Sequence, residues 1–290
     1  MSDTLAVLPQ YLLPKLALTR CAGGVASWRG GAATTALIRR FVARYRVNMA
    51  EAAEPRTEAY ASFNDFFTRA LRPGARPLAN APLLCPVDGA ISQFGRIRGD
   101  AIFQAKGHSY TSTALLGGDA ALAQHFDDGS FATLYLSPRD YHRIHMPCTG
   151  TLRRMVHVPG ALFSVNPTTA RGVPGLFARN ERVVCVFDDA QGQPFVLVLV
   201  GATIVGSMAT VWHGVVNPPR PGALRDWRYD GAQTVLAQGA EMGRFLLGST
   251  VVMLFTKAVA ERLPFNPGWA QGGAIRMGEV MGQTAGPVNS

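Results

Sequence analysis

The chain has 290 residues, 48% of them hydrophobic, enough to bury one large core with a smaller appended segment, and its formal net charge is +9. The first fifty residues hold seven basic side chains (Lys15, Arg20, Arg29, Arg39, Arg40, Arg44, Arg46) against one acidic, Asp3, and their neighbours are Leu5, Val7, Leu8, Leu12, Leu13, Leu16 and Leu18. Basic residues in apolar company favour an anionic membrane surface over nucleic acid as partner, and Pro9, Pro14, Lys15 and Arg20 break the apolar run short of the ~20 residues needed to span a bilayer.

The N-terminus lacks the order of charged region, apolar run and small-residue cleavage site that marks a secretory signal. Cys21, Cys85, Cys148 and Cys185 form no CxxC pair, which favours reduced thiols on the cytoplasmic side over a disulfide framework. From Leu37 to Tyr45 the apolar residues Leu37, Ile38, Phe41, Val42 and Tyr45 share one helical face, and Arg39, Arg40, Arg44 and Arg46 take the other. With no acidic residue on the polar face, the expectation is an interfacial helix. The turn-rich run Arg72, Pro73, Gly74, Arg76, Pro77 marks a boundary near residue 75, dividing a helical segment 1–75 from a catalytic domain 76–290.

Beyond it, short runs rich in Val, Ile, Phe and Tyr predict strands over Phe131–Leu136, Leu152–Val158, Val183–Phe187, Phe195–Val200, Thr203–Val205, Met208–Trp212 and Val251–Phe255. Helical patterns fall over 111–126 and 231–243. The fold class expected is α+β: a β-rich sandwich or partly closed barrel preceded by amphipathic N-terminal helices.

Four stretches carry chemistry: Pro86-Val87-Asp88-Gly89, the run SPRDYHRIHMP from Ser137, Phe163-Ser164-Val165-Asn166, and Phe245-Leu246-Leu247-Gly248-Ser249-Thr250. Together they supply an acid, a base and a hydroxyl, the inventory for activating a serine. His142 and His145, bracketed by Pro138 and Pro147, are expected on a turn where they share one side. A zinc reading of His142, His145 and Cys148 is the minor alternative, because no CxxC or HExxH accompanies it. Gly248, lacking a Cβ, lets the backbone bring the Ser249 hydroxyl to the preceding carbonyl, geometry suited to an N-to-O acyl shift. Spacing alone leaves an ordinary serine hydrolase equally open.

Over nearly its whole length the chain resembles the bacterial-type phosphatidylserine decarboxylases. The stretches that carry the resemblance are YLLPKLALTR from Tyr11, FNDFFTRAL from Phe63, PVDGAISQFG from Pro86, QAKGHSY from Gln104, YLSPRDYHRIHMPC from Tyr135, LFSVN from Leu162, LFARNERV from Leu176, VGATIVGS from Val200 and GRFLLGSTVVMLF from Gly243. The last contains the family's Leu-Gly-Ser-Thr processing site. The resemblance implies that the chain cuts itself between Gly248 and Ser249 into a large chain 1–248 and a small chain 249–290, and that Ser249 becomes a covalent pyruvoyl (pyruvate) group.

It further implies that Asp88, His145 and Ser249 form the charge-relay set for self-cleavage and that His142 donates a proton during turnover. The substrate implied is phosphatidylserine, decarboxylated to phosphatidylethanolamine through a Schiff base with that pyruvoyl group, with no metal and no pyridoxal phosphate. The protein would sit peripherally on the cytoplasmic side of the cell membrane, its partners being the anionic surface and the two chains of one precursor, with a homodimer left open. Lys106 is a candidate contact for a lipid phosphate, beside a structural reading of equal weight. The competing classes are an uncleaved Ser-His-Asp lipid hydrolase and a lipid-binding domain without chemistry.

Overall fold

The computed structural model describes residues 3, 7–204, 207–218, 220, 222–231, 234–247 and 250–284. Its centre is an antiparallel sheet in the spatial order Arg225–Arg228, Gly150–Val158, Arg182–Asp189, Pro194–Val200, Thr250–Phe255, Ser130–Tyr135, Gly89–Arg96, Ala274–Ile275, with Val235–Leu236 also pairing to Gly150–Val158. A smaller sheet runs Gly214–Val215, Met208–Thr210, Glu241–Phe245, Arg143–His145.

Period-two alternation explains how the layers stack. In Pro194–Val200, the residues Phe195, Leu197 and Leu199 join one core and Val196, Val198 and Val200 another; in Thr250–Phe255, Val251, Met253 and Phe255 part from Val252 and Leu254 in the same way. The first core is closed by Ile144, Met208, Met242 and Phe245 of the smaller sheet. The second is closed by Leu115, Leu116, Phe126, Phe163, Leu176 and Phe177, from short helices and loops. Central strands are therefore apolar on both faces, as continuous runs such as FVLVLV and TVVMLF require. The sandwich expectation holds, and among the described residues the large sheet does not close into a barrel.

N-terminal to the sheets lie the helices Lys15–Ser27, Ala32–Tyr45 and Phe63–Phe67. Ala32–Tyr45 follows Gly31 at φ 56° and ends at Arg46, also left-handed at φ 55°. Ser62 caps Phe63–Phe67 by accepting the Asp65 N–H at 3.1 Å. These helices share a core of Ala26, Ile38, Val47, Phe63, Phe66 and Phe67, against which Phe41, Val42 and Leu247 pack. Phe41 meets Phe63 edge to face at 5.0 Å between ring centroids. The expectation that the whole apolar face of Leu37 to Tyr45 is interfacial is corrected here: Ile38, Phe41 and Val42 pack inward, while Leu37 and Tyr45 stay exposed.

Other expectations also change. Residues 231–243 form no helix among those described; Val235–Leu236 and Glu241–Phe245 are strands, recruited by ladder partners on both sheets. The 111–126 pattern splits into Ser112–Leu115 and Ala120–Gln124 because Gly117 and Gly118 take φ of 83° and 93° between them. Thr203 and Ile204 form a turn, not a strand, and Val205 lies outside the described residues.

The packing predicts that Phe66→Ala costs about 3–5 kcal/mol, and that Phe41→Glu lowers the melting temperature. Leu37→Glu, at a position 39% exposed, should leave the melt unchanged. Equal melts for the two Glu variants would contradict this account of the helix.

Candidate active site

Register brings the chemical motifs to one place. Ala90 pairs with Tyr135, and Tyr135 pairs on its other side with Thr250, so three neighbouring strands end in one row. Asp88 precedes that row on the first strand, the segment leading to His142 leaves it on the second, and the third strand begins in it at Thr250. Gly89 is required there: a Cβ on it would stand 2.3 Å from the Tyr135 carbonyl oxygen. The sequence-predicted Gly248 and Ser249 themselves lie outside the described residues, between Leu247 and Thr250. Leu247 packs against both the second core and the helical cluster.

Asp88 is buried and held by a guanidinium fork. Arg76 Nε donates to its two oxygens at 2.9 and 3.1 Å, and the Met277 N–H donates to Oδ1 at 2.9 Å. Arg76 Nη2 also donates to Glu51 at 2.7 Å, and these hydrogen bonds to its two carboxylate partners, Asp88 first, raise its pKa against the opposing effect of burial. Asp88 makes no hydrogen bond to His145. Their link is through the loop, where the His145 N–H donates to the Pro86 carbonyl at 2.8 Å.

The two histidines do not share a turn. His145 ends the strand Arg143–His145, and His142 sits just before it, because that segment ladders onto Glu241–Phe245. His145 Nδ1 faces the Gly239 carbonyl at 2.8 Å and Nε2 faces the Tyr141 hydroxyl at 3.1 Å. A carbonyl only accepts, so Nδ1 carries the hydrogen and Nε2 presents its lone pair to the tyrosine O–H. Burial pushes the His145 pKa down, favouring this neutral form, and pushes Tyr141 up to about 12.

His142 is wholly buried, with its ring 4.0 Å from that of Phe67 between centroids. Its Nδ1 donates to the Asp140 carbonyl at 2.8 Å, leaving Nε2 buried with no hydrogen-bond partner among the described residues. Burial lowers its pKa to about 3, with the nearby Arg69 charge acting in the same sense. Beside Leu247 a cavity of about 200 Å³ is lined by Phe41, Phe67, Tyr135, Ser164, Asn166 and Thr203, among others.

Cys148 opens instead onto a cavity shared with Asp189 and Arg262, and among the described residues no group of three His, Cys, Asp or Glu is arranged to hold a metal. Lys106 forms an ion pair with Asp3. Sequence reasoning missed Arg76, Tyr141 and Phe67. Arg76 lay in the stretch read only as a boundary, and nothing in the spacing of residues 76 and 88 announces an ion pair.

Comparison with known proteins matches a family model described as phosphatidylserine decarboxylase over residues 63–283 and a second, described as PSD, over residues 5–46. The chain is 74% identical over 281 residues to a phosphatidylserine decarboxylase proenzyme of Albidiferax ferrireducens, covering 97% of this chain and 98% of that one. It is 73% identical to the proenzyme of that name from Azoarcus sp. (97% and 96% covered) and 70% identical to that from Dechloromonas aromatica (98% and 100% covered).

The buried histidine has a consequence for acid stability. Between the ordinary value of 6.5 and about 3, the unfolded chain binds a proton at His142 that the folded chain refuses, so stability falls as pH drops through that window. The slope expected from one such group is about 1.4 kcal/mol per pH unit. Urea unfolding at stepped pH should show a slope shallower by about this amount in His142→Gln, with His145 supplying part of the remainder. An unchanged slope would exclude His142 as the buried neutral group.

Proposed function

Because the chain belongs to the phosphatidylserine decarboxylase family, we propose that it matures by cutting itself between Gly248 and Ser249 and works through a pyruvoyl group made from Ser249. The enzyme decarboxylates phosphatidylserine, releasing CO2 and leaving phosphatidylethanolamine. The observation that supports the proposal is the register row Ala90, Tyr135, Thr250, beside which Asp88 and the approach to His142 lie, Thr250 being the chain neighbour of the proposed Ser249. The proenzyme naming of the relatives supports processing.

In the proposed maturation, the Ser249 hydroxyl attacks the Gly248 carbonyl carbon, its proton passing to the lone pair of His145 Nε2. The peptide C–N bond breaks, the α-amine takes a proton, and an ester joins Gly248 to the Ser249 oxygen. Removal of the Ser249 α-proton expels Gly248 as a carboxylate and leaves dehydroalanine. Its imine tautomer takes up water and releases ammonia, giving the ketone. Asp88 acts as a positioning residue: pinned by Arg76, it fixes the loop whose Pro86 carbonyl holds the His145 backbone.

A mostly apolar cavity against Leu247 fits a small ketone, and Phe67 in its wall contacts His142, whose buried Nε2 has no partner among the described residues. Once formed, the ketone supplies an electron sink for the carbanion that CO2 leaves behind. The chain's part is proton handling and orientation. His142, unprotonated at neutral pH, takes a proton from the substrate ammonium at Nε2 and returns it to the α-carbon after CO2 departs. This refines the proton-donor role, since Nδ1 is committed to the Asp140 carbonyl.

We further propose that residues 1–75 seat the catalytic domain 76–290 peripherally on an anionic membrane, on the cytoplasmic side. No helix among the described residues is long and apolar enough to cross a bilayer. Exposed Leu8, Tyr11, Leu12, Leu13, Leu16 and Trp28, with Leu12 89% exposed, concentrate instead beside Lys15, Arg20 and Arg29.

In denaturing electrophoresis with intact mass, the active enzyme should show two chains, 1–248 and 249–290, the smaller lighter than a serine-ended chain by one ammonia. Ser249→Ala and His145→Ala should stay uncut and inactive, while His142→Ala should be cut yet turn over poorly. An active, uncut chain that reacts with a serine-directed fluorophosphonate would establish the hydrolase reading instead.

For the membrane, a Leu12→Ser, Leu16→Ser double variant should co-sediment with anionic vesicles at least several-fold less well than wild type, at an unchanged melting temperature. High salt should release the wild type only in part, because salt screens the basic residues but not the apolar contacts. Unaltered sedimentation of the double variant would refute this face.

A further inference from the structure

Arg69 lies at the wall of a cavity of about 360 Å³, on the open side of the Asp88 cluster. It is only 5% exposed, yet among the described residues no carboxylate pairs with it, and its buried Nε has no hydrogen-bond partner. Its remaining contacts are weak: Nη2 reaches the Arg139 carbonyl at 3.4 Å, and the guanidinium carbon stands 5.3 Å from the Phe66 ring centroid. A buried guanidinium without an anion is costly, and burial depresses its pKa accordingly.

The same cavity is lined by Arg46, Arg76, Arg139 and Arg276, against the carboxylates Glu51, Asp88 and Asp140. Those carboxylates are largely spent. Asp88 and Glu51 are taken by Arg76, and Arg276 reaches Glu51 only at 3.6 Å. Asp140 lies 3.8 Å from Arg139, and its own pKa is raised by burial. Five guanidinium groups thus face three carboxylates, and Arg46 and Arg69 have no ion-pair partner among the described residues.

We propose that this cavity binds a phosphate group, with Arg69 at its floor and Arg46 and Arg139 at its rim. The excess of two positive charges matches a phosphate dianion, and planar guanidinium forks meet its several oxygens in pairs where a carboxylate would satisfy one. The phosphate can be free or belong to a lipid headgroup. The inference does not rest on the pyruvoyl reading, since binding needs neither cleavage nor turnover.

Isothermal titration calorimetry on the full-length protein in detergent, at constant ionic strength, tests it with two probes: inorganic phosphate and dihexanoyl-phosphatidylglycerol. Saturable binding of inorganic phosphate, weakened at least tenfold in Arg69→Gln and clearly in Arg139→Gln and Arg46→Gln, supports a site for the free anion. The same dependence seen only with the short-chain lipid supports a headgroup site. Arg153→Gln, whose residue pairs with Asp188 on the large sheet, should bind like wild type. If Arg69→Gln does not fold, the two exposed rim variants decide the matter. Absence of saturable binding by both probes, or unchanged affinity in the rim variants, overturns the proposal.

Discussion

The strand Thr250–Phe255 is the constraint on which the rest depends. It is hydrogen-bonded along its length to Ser130–Tyr135 on one side and Pro194–Val200 on the other, and every one of its residues is buried. Its side chains feed both cores, so it is shared by the two layers. It also begins one residue after Ser249. A peptide bond cut just before such a strand leaves the new N-terminus anchored by two ladders and two apolar faces. Under the proposed cleavage, the small chain would need no covalent link to stay in the sheet.

The helical segment is coupled to this arrangement by a few contacts. Phe67 joins the helical core and lies tilted against the His142 ring, while Leu247 packs against the helices immediately before the proposed cut. Arg76, just past the boundary read from the turn residues, holds both Glu51 and Asp88. A division near residue 75 thus marks a change in secondary structure more than an energetic seam. A perturbation of the helices has a short physical route to His142 through Phe67.

Much of the β framework was legible because buried antiparallel strands write themselves as Val, Ile, Phe and Leu runs between turn residues, as Phe195–Val200 and Val251–Phe255 do. The run 231–243 misled because Ala237, Gln238, Ala240 and Glu241 have local helical preference, and pairing of Glu241–Phe245 with strands on both sides overrides it. The face of Leu37 to Tyr45 was legible as amphipathic but not as to its partner, since periodicity does not say whether Phe41 meets lipid or Phe63. In the site, the identities of Asp88, His142 and His145 could be proposed from motifs. Their partners could not, because Arg76, Met277, Gly239 and Tyr141 act through geometry that chain spacing does not encode.

Those partners decide what each imidazole can do. Both histidines turn Nδ1 to a backbone carbonyl, which fixes the tautomer, and both are kept neutral by burial. They differ at Nε2. That of His145 is occupied by the Tyr141 hydroxyl, so accepting a proton from elsewhere means exchanging or relaying through that hydrogen bond. That of His142 has no partner among the described residues and lies against an aromatic ring that excludes water. A lone pair so placed is left unprotonated and uncommitted until a group is delivered to it. That asymmetry supports the proposed division, with His145 serving the single self-cleavage and His142 each turnover.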